Sequence, residues 1–352
     1  MKILGIETSC DETAAAVVED GTRILSNVVV SQIDIFAEYG GVIPEVAARS
    51  HLEVILPVID KALSDAKCTW DEIDAIAVTH APGLLGSLLI GTLTARALAI
   101  LHDKPLYAVH HLKSHVYANW LNPKASPPEF PLLALVISGG HTQILYMPGH
   151  NQFEIIGTTR DDAIGECFDK VAKILGLPYP GGPNISKAAL SGDATKYHLP
   201  HPKVANLDFS FSGLKTAVLR AVQKEVGVPI SYPSHQLKDL LSKQQINDFA
   251  ASFQKTAVDI LLEKLQMALS KHPETKSIVF AGGVSANQFL REQASTLSAF
   301  FPEPVLSGDN GAMVAGACYY EIQSGVQPVD PYSLNIYPRI PIASTPNPPR
   351  DQ

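Results

Sequence analysis

The chain of 352 residues is 46% hydrophobic and 18% charged, which excludes a wholly disordered polypeptide and leaves ample apolar material for a core. Its length suits two domains or one large bilobal unit. The 27 Lys and Arg against 35 Asp and Glu give a net charge of -8, so the chain is not a strong free-standing nucleic-acid binder, because phosphate affinity comes from basic side chains. Cys10, Cys68, Cys167 and Cys318 form no C-x-x-C pair and read as reduced thiols of a cytosol-like compartment.

The first residues carry acids early and show no apolar leader, so they read as a strand and point to the cytoplasm. KILGIE (2–7) is an apolar run suited to a buried strand. Polar TSCDET follows, then AAAVVE, which completes a hairpin pattern. Residues 45–66 carry a helical pattern. Residues 80–101 are long enough to raise a membrane question, but Pro82, Arg96 and many small residues favour a packed soluble helix. Gly83, Ser87, Gly91 and Ala95 recur every fourth residue and line one helix face that a second helix can approach closely. That face is the candidate dimer surface. LLALVIS, GGHTQ and ILYM (132–147) repeat the strand, turn, strand plan and predict a second, related lobe with a polar loop at its tip. Residues 247–272 read as a helix with Phe249, Phe253, Val258, Leu261, Leu262 and Leu265 in one stripe. Residues 277–295 read as strand, glycine turn and helix, capped by Asn287 or Ser285. Strands alternating with helices give an α/β class. The expected division is a first lobe over 1–130, a second lobe over 131–309 and a helix returning to the first lobe over 310–330. A Pro-rich tail over 331–352, disordered at its end, completes it.

Within HHLKSH, His111 and His115 are spaced i and i+4 on one helix face and suit a single metal ion. The zinc-peptidase motif H-E-x-x-H shares that spacing but needs Glu where this chain has Leu112, which argues against a peptidase. A third ligand must come from elsewhere, and Asp309, just before a small-residue helix, is the candidate. A solvated histidine cluster and a plain helix cap fit the same letters. Ser138, Gly139, Gly140, His141 and Thr142 form a polar tip whose glycines let N–H groups approach an anion, although an ordinary hairpin turn has the same composition. Gly181-Gly182-Pro183 and Gly282-Gly283 are two further glycine turns, each followed by a helical pattern whose start can face a ligand. Asp11 and Glu12, at the first tip, can bind a cation, orient an amine or act as base; a solvated turn is the plain alternative. Asp169 is either part of the site or an i,i+4 partner of Lys173. Lys215, Arg220 and Lys224 form one local basic cluster, and Lys196, His198, His201 and Lys203 another.

Nine segments then occur in a telling order. They are GIETSCDET from Gly5, GGVIPEVAARSHL from Gly40, HAPGLLGSLLIG from His80, HHLKSH from His110 and ISGGHT from Ile137. DDAIGECFDKVAKILGLPYPGGP from Asp161, FSFSGLKTAV from Phe209, AGGVSAN from Ala281 and GDNGAMVA from Gly308 complete the set. From about Lys2 to Glu321 the chain resembles the TsaD (Gcp) family of tRNA N6-adenosine threonylcarbamoyltransferases. The resemblance implies a bilobal actin-like, sugar-kinase-like (ASKH) fold around a nucleotide cleft. It implies transfer of the threonylcarbamoyl group from threonylcarbamoyl-AMP to N6 of adenosine 37 in tRNAs reading ANN codons. One divalent metal ion, Fe2+ or Zn2+, is implied on His111, His115 and Asp309. Ile137, Ser138, Gly139, Gly140, His141, Asp169, Gly182 and Asn287 are implied to bind the donor, with Asp11 and Glu12 catalytic at the transferred group. The implied partners are the tRNA substrate, a TsaB-like paralogue on the first lobe, a TsaE-like ATPase and a TsaC-like donor synthase, with no membrane. The net charge then implies weak, salt-sensitive tRNA binding that depends on partners.

Two positions depart from the family pattern. Lys113 stands where an acid is common between the metal histidines, which implies a changed surrounding for the metal and an unchanged ligand set. Ser186 stands where an Asp often meets the donor ribose, which leaves that contact open. Two readings from other classes remain. One is a carbamoyltransferase of the same superfamily acting on a small acceptor, which activity on tRNA separates. The other is a non-catalytic nucleotide-binding scaffold, against which the retained ligands and carboxylates argue.

Overall fold

The computed structural model describes residues 1–122 and 124–342. The expected disordered end of the Pro-rich tail, residues 343–352, lies outside the described residues. β1 (Lys2–Glu7) and β2 (Glu12–Glu19) form the first hairpin, with Ile6 opposite Ala15. β3 (Arg23–Ser31) extends it antiparallel. After α1 (Ile33–Tyr39) and α2 (Pro44–Ala66), β4 (Ala75–Ala81) joins the other side of β1 in parallel. α3 (Leu85–Leu101) then leads to β5 (Leu106–His110), parallel to β4, and α4 (His111–Tyr117) follows at once. The sheet order is β3-β2-β1-β4-β5.

The second lobe repeats this plan. β6 (Leu132–Ile137) and β7 (Thr142–Met147) form the second hairpin, and β8 (Glu154–Thr158) extends it. Helices α5 (Ile164–Leu175), α6 (Gly181–Ala189), α7 (Ser212–Glu225) and α8 (Lys243–Lys271) precede β9 (Ser277–Ala281), which pairs with β6 in parallel. The order β8-β7-β6-β9 matches β3-β2-β1-β4 strand for strand. α9 (Gln288–Gln293), α10 (Pro304–Ser307) and α11 (Gly311–Gln323) complete the chain of helices. This is the bilobal α/β plan that the paired hairpins predict.

The strand sequences follow from their burial. β6 sends Leu133, Leu135 and Ile137 into a second-lobe core under α5, α7 and α8. Its alternate residues, Leu132, Ala134 and Val136, face a core between the two sheets, which α4 and α11 fill. A strand covered on both faces reads as a continuous apolar run, as LLALVI does. The outer core of the first lobe joins Leu4, Ile6 and Val78 to Ile55 and Ile59 of α2 and Ala95 of α3.

Glycines set how closely α11 approaches. A Cβ on Gly5 would lie 2.2 Å from the Gly311 carbonyl oxygen, and one on Gly311 would lie 2.6 Å from the Ala16 nitrogen. The start of α11 therefore touches the backbone of β1 and β2, which fixes the position of Asp309 just before it.

The small-residue face of α3 requires a correction. It packs inside its own lobe, against the β1–β2 turn, and offers nothing to a second chain. A Cβ on Gly91 would meet Thr8 Oγ1 at 2.2 Å, and one on Gly83 would meet the Ser9 carbonyl oxygen at 2.5 Å. Thr8 Oγ1 also donates to the Ser87 carbonyl at 2.9 Å. Small residues at every fourth position signal a close approach, but they do not name the neighbour. The outward face of α3 instead carries exposed Leu85, Leu89 and Leu93, and the adjoining α2 exposes Leu52 and Leu56. No helix among the described residues is long and apolar enough to cross a membrane. All four cysteines are free thiols.

Candidate metal and transfer site

The candidate metal cluster, His111, His115 and Asp309, is assembled from two distant segments. His110 ends β5 and caps α4, its Nδ1 accepting the Leu112 N–H at 3.2 Å. His111 and His115 then follow one turn apart. Asp309 comes from the opposite side, delivered by α11, while Asn310 performs the capping by accepting the Met313 N–H at 3.0 Å. Asp309 Oδ1 lies 3.1 Å from His115 Nε2 and 3.6 Å from His111 Nε2. One ligand atom from each of the three lies within 4.8 Å of the others.

The donor set fits a divalent cation. His115 is 1% exposed; its Nδ1 has no hydrogen-bond partner, and its Nε2 has only the Asp309 carboxylate, at 3.1 Å. A buried imidazole nitrogen left unpaired beside a carboxylate and a second imidazole suits a borderline metal such as zinc or ferrous iron. The charges are already arranged for it. Burial raises the Asp309 carboxyl, but His111 and His115 outweigh that and hold it at about 2. Burial opposes charge on His111, yet Asp309 and Glu7 carry it up to about 9.

Glu7 is not among the residues that the sequence singles out. It is fully buried, and its carboxylate accepts from Thr79 Oγ1 at 2.6 Å and from the Ser9 N–H. It also lies 3.1 Å from His111 Nδ1. With Nδ1–H pointed at Glu7, His111 presents Nε2 toward Asp309, the usual way a carboxylate orients a metal-binding imidazole. The signal was an acid at the end of an otherwise apolar run: a buried carboxylate needs a partner.

The Asp11–Glu12 turn is tightly held. The Cys10 carbonyl accepts from His51 Nε2 at 2.9 Å and from Ser87 Oγ at 3.2 Å. Thr13 Oγ1 lies 2.7 Å from His51 Nδ1, so both ring nitrogens are used. Burial, then Asp309 and Asp11, push Glu12 up to about 10, so it keeps its proton at neutral pH. Burial and the Asp11 carboxylate raise both Asp169 and the Tyr179 hydroxyl, which puts the first-lobe turn opposite the α5–α6 segment. Asp169 does not pair with Lys173; its Oδ1 accepts the Gly181 N–H at 2.7 Å and ties α5 to the glycine turn that opens α6. Tyr179 and His51, like Glu7, lacked any local pattern.

The second-lobe turn is open. Ser138 N–H donates to the His141 carbonyl at 2.9 Å, and His141 N–H donates to Ser138 Oγ at 3.2 Å. A Cβ on Gly139 or Gly140 would meet nothing within 4 Å. Gly182 is equally unobstructed. Gly282, at φ +88, abuts the Ile137 carbonyl, which a Cβ there would approach to 2.5 Å. The Ile137 side chain is buried in the second-lobe core, so only its backbone reaches this loop. Asn287 caps α9 through Oδ1 and donates through Nδ2 to Ser186 Oγ and Gln254 Oε1, each at 3.0 Å. Ser186 Oγ in turn donates to Gln254 at 2.8 Å. His141 lies near the cluster: burial, then the neighbouring His111 and His115, lower it to about 4.

Lys113 is paired with α11. Its Nζ donates to Asn151 at 3.0 Å and to Glu321 at 3.2 Å. It joins α4 to α11 and to the β7–β8 loop, and its charge helps to lower His80 and His110 beside the cluster histidines.

The family model of TsaD, tRNA N6-adenosine threonylcarbamoyltransferase, matches residues 23–316. The chain belongs to the TsaD family. A relative of that name from Symbiobacterium thermophilum is 51% identical over 332 residues, 92% of this chain and 93% of the relative. Another, from Dehalococcoides mccartyi, is 50% identical over 348 residues, 98% and 100% of the two chains. Among solved structures, component A of the (R)-2-hydroxyglutaryl-CoA dehydratase of Acidaminococcus fermentans aligns at a TM-score of 0.49 and 15% identity. It covers 92% of this chain and 99% of that one. TsaD membership makes the protein a transferase, and the site described above lies within the matched span except for Glu7 to Thr13.

Proposed function

We propose that the protein forms N6-threonylcarbamoyladenosine at position 37 of tRNAs reading ANN codons, with threonylcarbamoyl-AMP as donor. One observation carries this reading: the His111–His115–Asp309 cluster lies between a turn of carboxyl groups from one lobe and an open glycine turn from the other. A crevice at the carboxyl ends of parallel strands is where α/β folds hold nucleotides.

The donor is a mixed carbamic–phosphoric anhydride. N6 of the adenine attacks its carbonyl carbon, a C–N bond forms, and the bond to the phosphate oxygen breaks. AMP leaves with the electron pair, and N6 gives up a proton. Gly139 and Gly140 leave room for that phosphate against the backbone of the loop, where N–H groups offset its charge. Asp169, Gly182 and Asn287 bound the nucleoside side, with Ser186 and Gln254 fixing the Asn287 amide. Glu12 orients the transferred group by hydrogen bonding, and Asp11 takes the N6 proton. Fe2+ or Zn2+ on His111, His115 and Asp309 would supply positive charge where negative charge builds. Holding an amine of low nucleophilicity in line with an activated carbonyl is the larger share of the work.

The acidic chain recruits tRNA with help. A TsaB-like paralogue docks on the exposed leucines of α2 and α3, and a TsaE-like ATPase and a TsaC-like donor synthase complete the system in the cytoplasm. The test supplies the protein and those partners with preformed threonylcarbamoyl-AMP and unmodified tRNA, followed by mass analysis of the nucleosides. Threonylcarbamoyladenosine should appear, and Asp11→Ala should nearly abolish it. No modified nucleoside, together with carbamoylation of a small acceptor, would overturn the reading in favour of the related carbamoyltransferases.

A further inference from the structure

Beyond α11 the chain returns along the first lobe. Val329 N–H donates to the Leu106 carbonyl at 2.8 Å, adding a bridge to the outer edge of β5. Arg96 of α3 donates to the carbonyls of Pro331 and Tyr332. Leu334 is buried in the first-lobe core. The following residues cross the carboxyl ends of β4 and β5. The Asn335 carbonyl lies 3.4 Å from His80 Nδ1, and Tyr337 N–H donates to the His80 carbonyl at 3.1 Å. The Pro338 carbonyl accepts from Gly83 N–H at 3.3 Å. The Ile340 carbonyl lies 3.2 Å from His110 Nε2, and Ile342, 1% exposed, enters the core between the lobes.

His110 is the informative residue. A backbone N–H can only donate, so the Leu112 bond leaves Nδ1 without a proton. A backbone carbonyl can only accept, so the Ile340 bond puts the proton on Nε2. The ring is neutral, with each nitrogen satisfied once. If the Ile340 carbonyl is withdrawn, a buried N–H is left unpaired. The ring then gains by turning, and the cap on α4 is lost with it. α4 starts at the very next residue and carries both histidines of the cluster. The same segment holds His80, whose neighbour Thr79 anchors Glu7.

We propose that residues 335–342 are a strap that positions the metal centre by fixing His110, and through it the first turn of α4. The proposal rests on the reading that His111, His115 and Asp309 bind a metal. The test is zinc affinity, measured in the full-length chain by competition with a chromophoric chelator. Two variants are compared with the parent: Tyr337→Pro/Ile342→Asn, which loosens the strap, and His110→Leu, which removes its target. Each should weaken zinc binding at least tenfold while AMP binding, supplied by the second lobe, stays within twofold. Combining them should add little further loss, because both act through one ring. Zinc affinity within twofold of the parent in either variant overturns the proposal, as does full additivity, which a merely structural loosening would give. Should the double strap variant fail to fold by circular dichroism, Tyr337→Pro alone, which removes the N–H on the His80 carbonyl, takes its place in the same comparison. A parent chain that binds no zinc or ferrous iron would instead overturn the metal reading itself.

Discussion

The two hairpin turns occupy the same place in the same strand plan, yet they are built in opposite ways. The first, between β1 and β2, is fixed from every side: Glu7 binds the Ser9 N–H, and Thr8 reaches the Ser87 carbonyl. His51 and Ser87 share the Cys10 carbonyl. The second, between β6 and β7, is closed by the internal Ser138–His141 bonds and tied at its base by the Gly165 N–H on the Ser138 carbonyl at 3.3 Å, while a Cβ on Gly139 or Gly140 would meet nothing within 4 Å. One strand plan thus supports two different turns: a fixed one that carries carboxyl groups and an open one that leaves its glycine backbone accessible.

The largest expected effect comes from removing the point where both turns meet. Asp309→Asn should reduce bound metal to near zero and lower transfer by more than about a hundredfold, above the range typical of outer-shell changes. Metal content by atomic emission and nucleoside analysis measure both. Glu7→Gln keeps the size of the side chain but weakens its hold on His111, so zinc affinity should fall about 10- to 100-fold in a chain that still folds. Affinity should also depend on pH with a definite sign. His111 holds a proton up to about 9, and the metal must displace it. Zinc binding should therefore tighten as pH rises from 7 and level off near that value; binding that weakens over the same range would contradict the assignment.

Smaller changes separate the turns from each other. His51→Ala should slow transfer by about tenfold, as expected when catalytic groups are slightly misplaced, and leave bound metal unchanged. Gly140→Ala should leave stability within about 0.5 kcal/mol, since the added methyl meets nothing, while weakening AMP binding. A separate effect is on stability alone. Glu12 is raised in the folded protein, so between its ordinary value of 4.5 and about 10 the folded state holds a proton that the unfolded state has released. The metal-free protein should accordingly lose stability as pH rises through that window. Glu12→Gln should raise its Tm at pH 8 by a few degrees and should change little at pH 4.

Much of this was legible where the signal was local. The two hairpins announced themselves as apolar runs around polar tips, and the i,i+4 spacing of His111 and His115 places them together on any helix. Asp309 was visible as a carboxylate before a small-residue helix, but its meeting with the histidines depends on Gly5 and Gly311 letting α11 reach the sheet. Glu7, His51 and Tyr179 act across long sequence separations and left no periodic trace. Lys113 stands between two histidines in sequence, but a helix turns each successive side chain about 100° away, and its ammonium pairs with Glu321. The small face of α3 was a true packing signal with the wrong neighbour attached.

Asp309 is delivered by the last long helix of the chain, whereas His111 and His115 belong to its first third. During synthesis on a ribosome the two histidines emerge well before their carboxylate partner. Two imidazoles without the third ligand hold a divalent ion weakly, so a partly made chain has little means to capture one. The candidate ligand set is therefore complete only once α11 has docked against the first lobe.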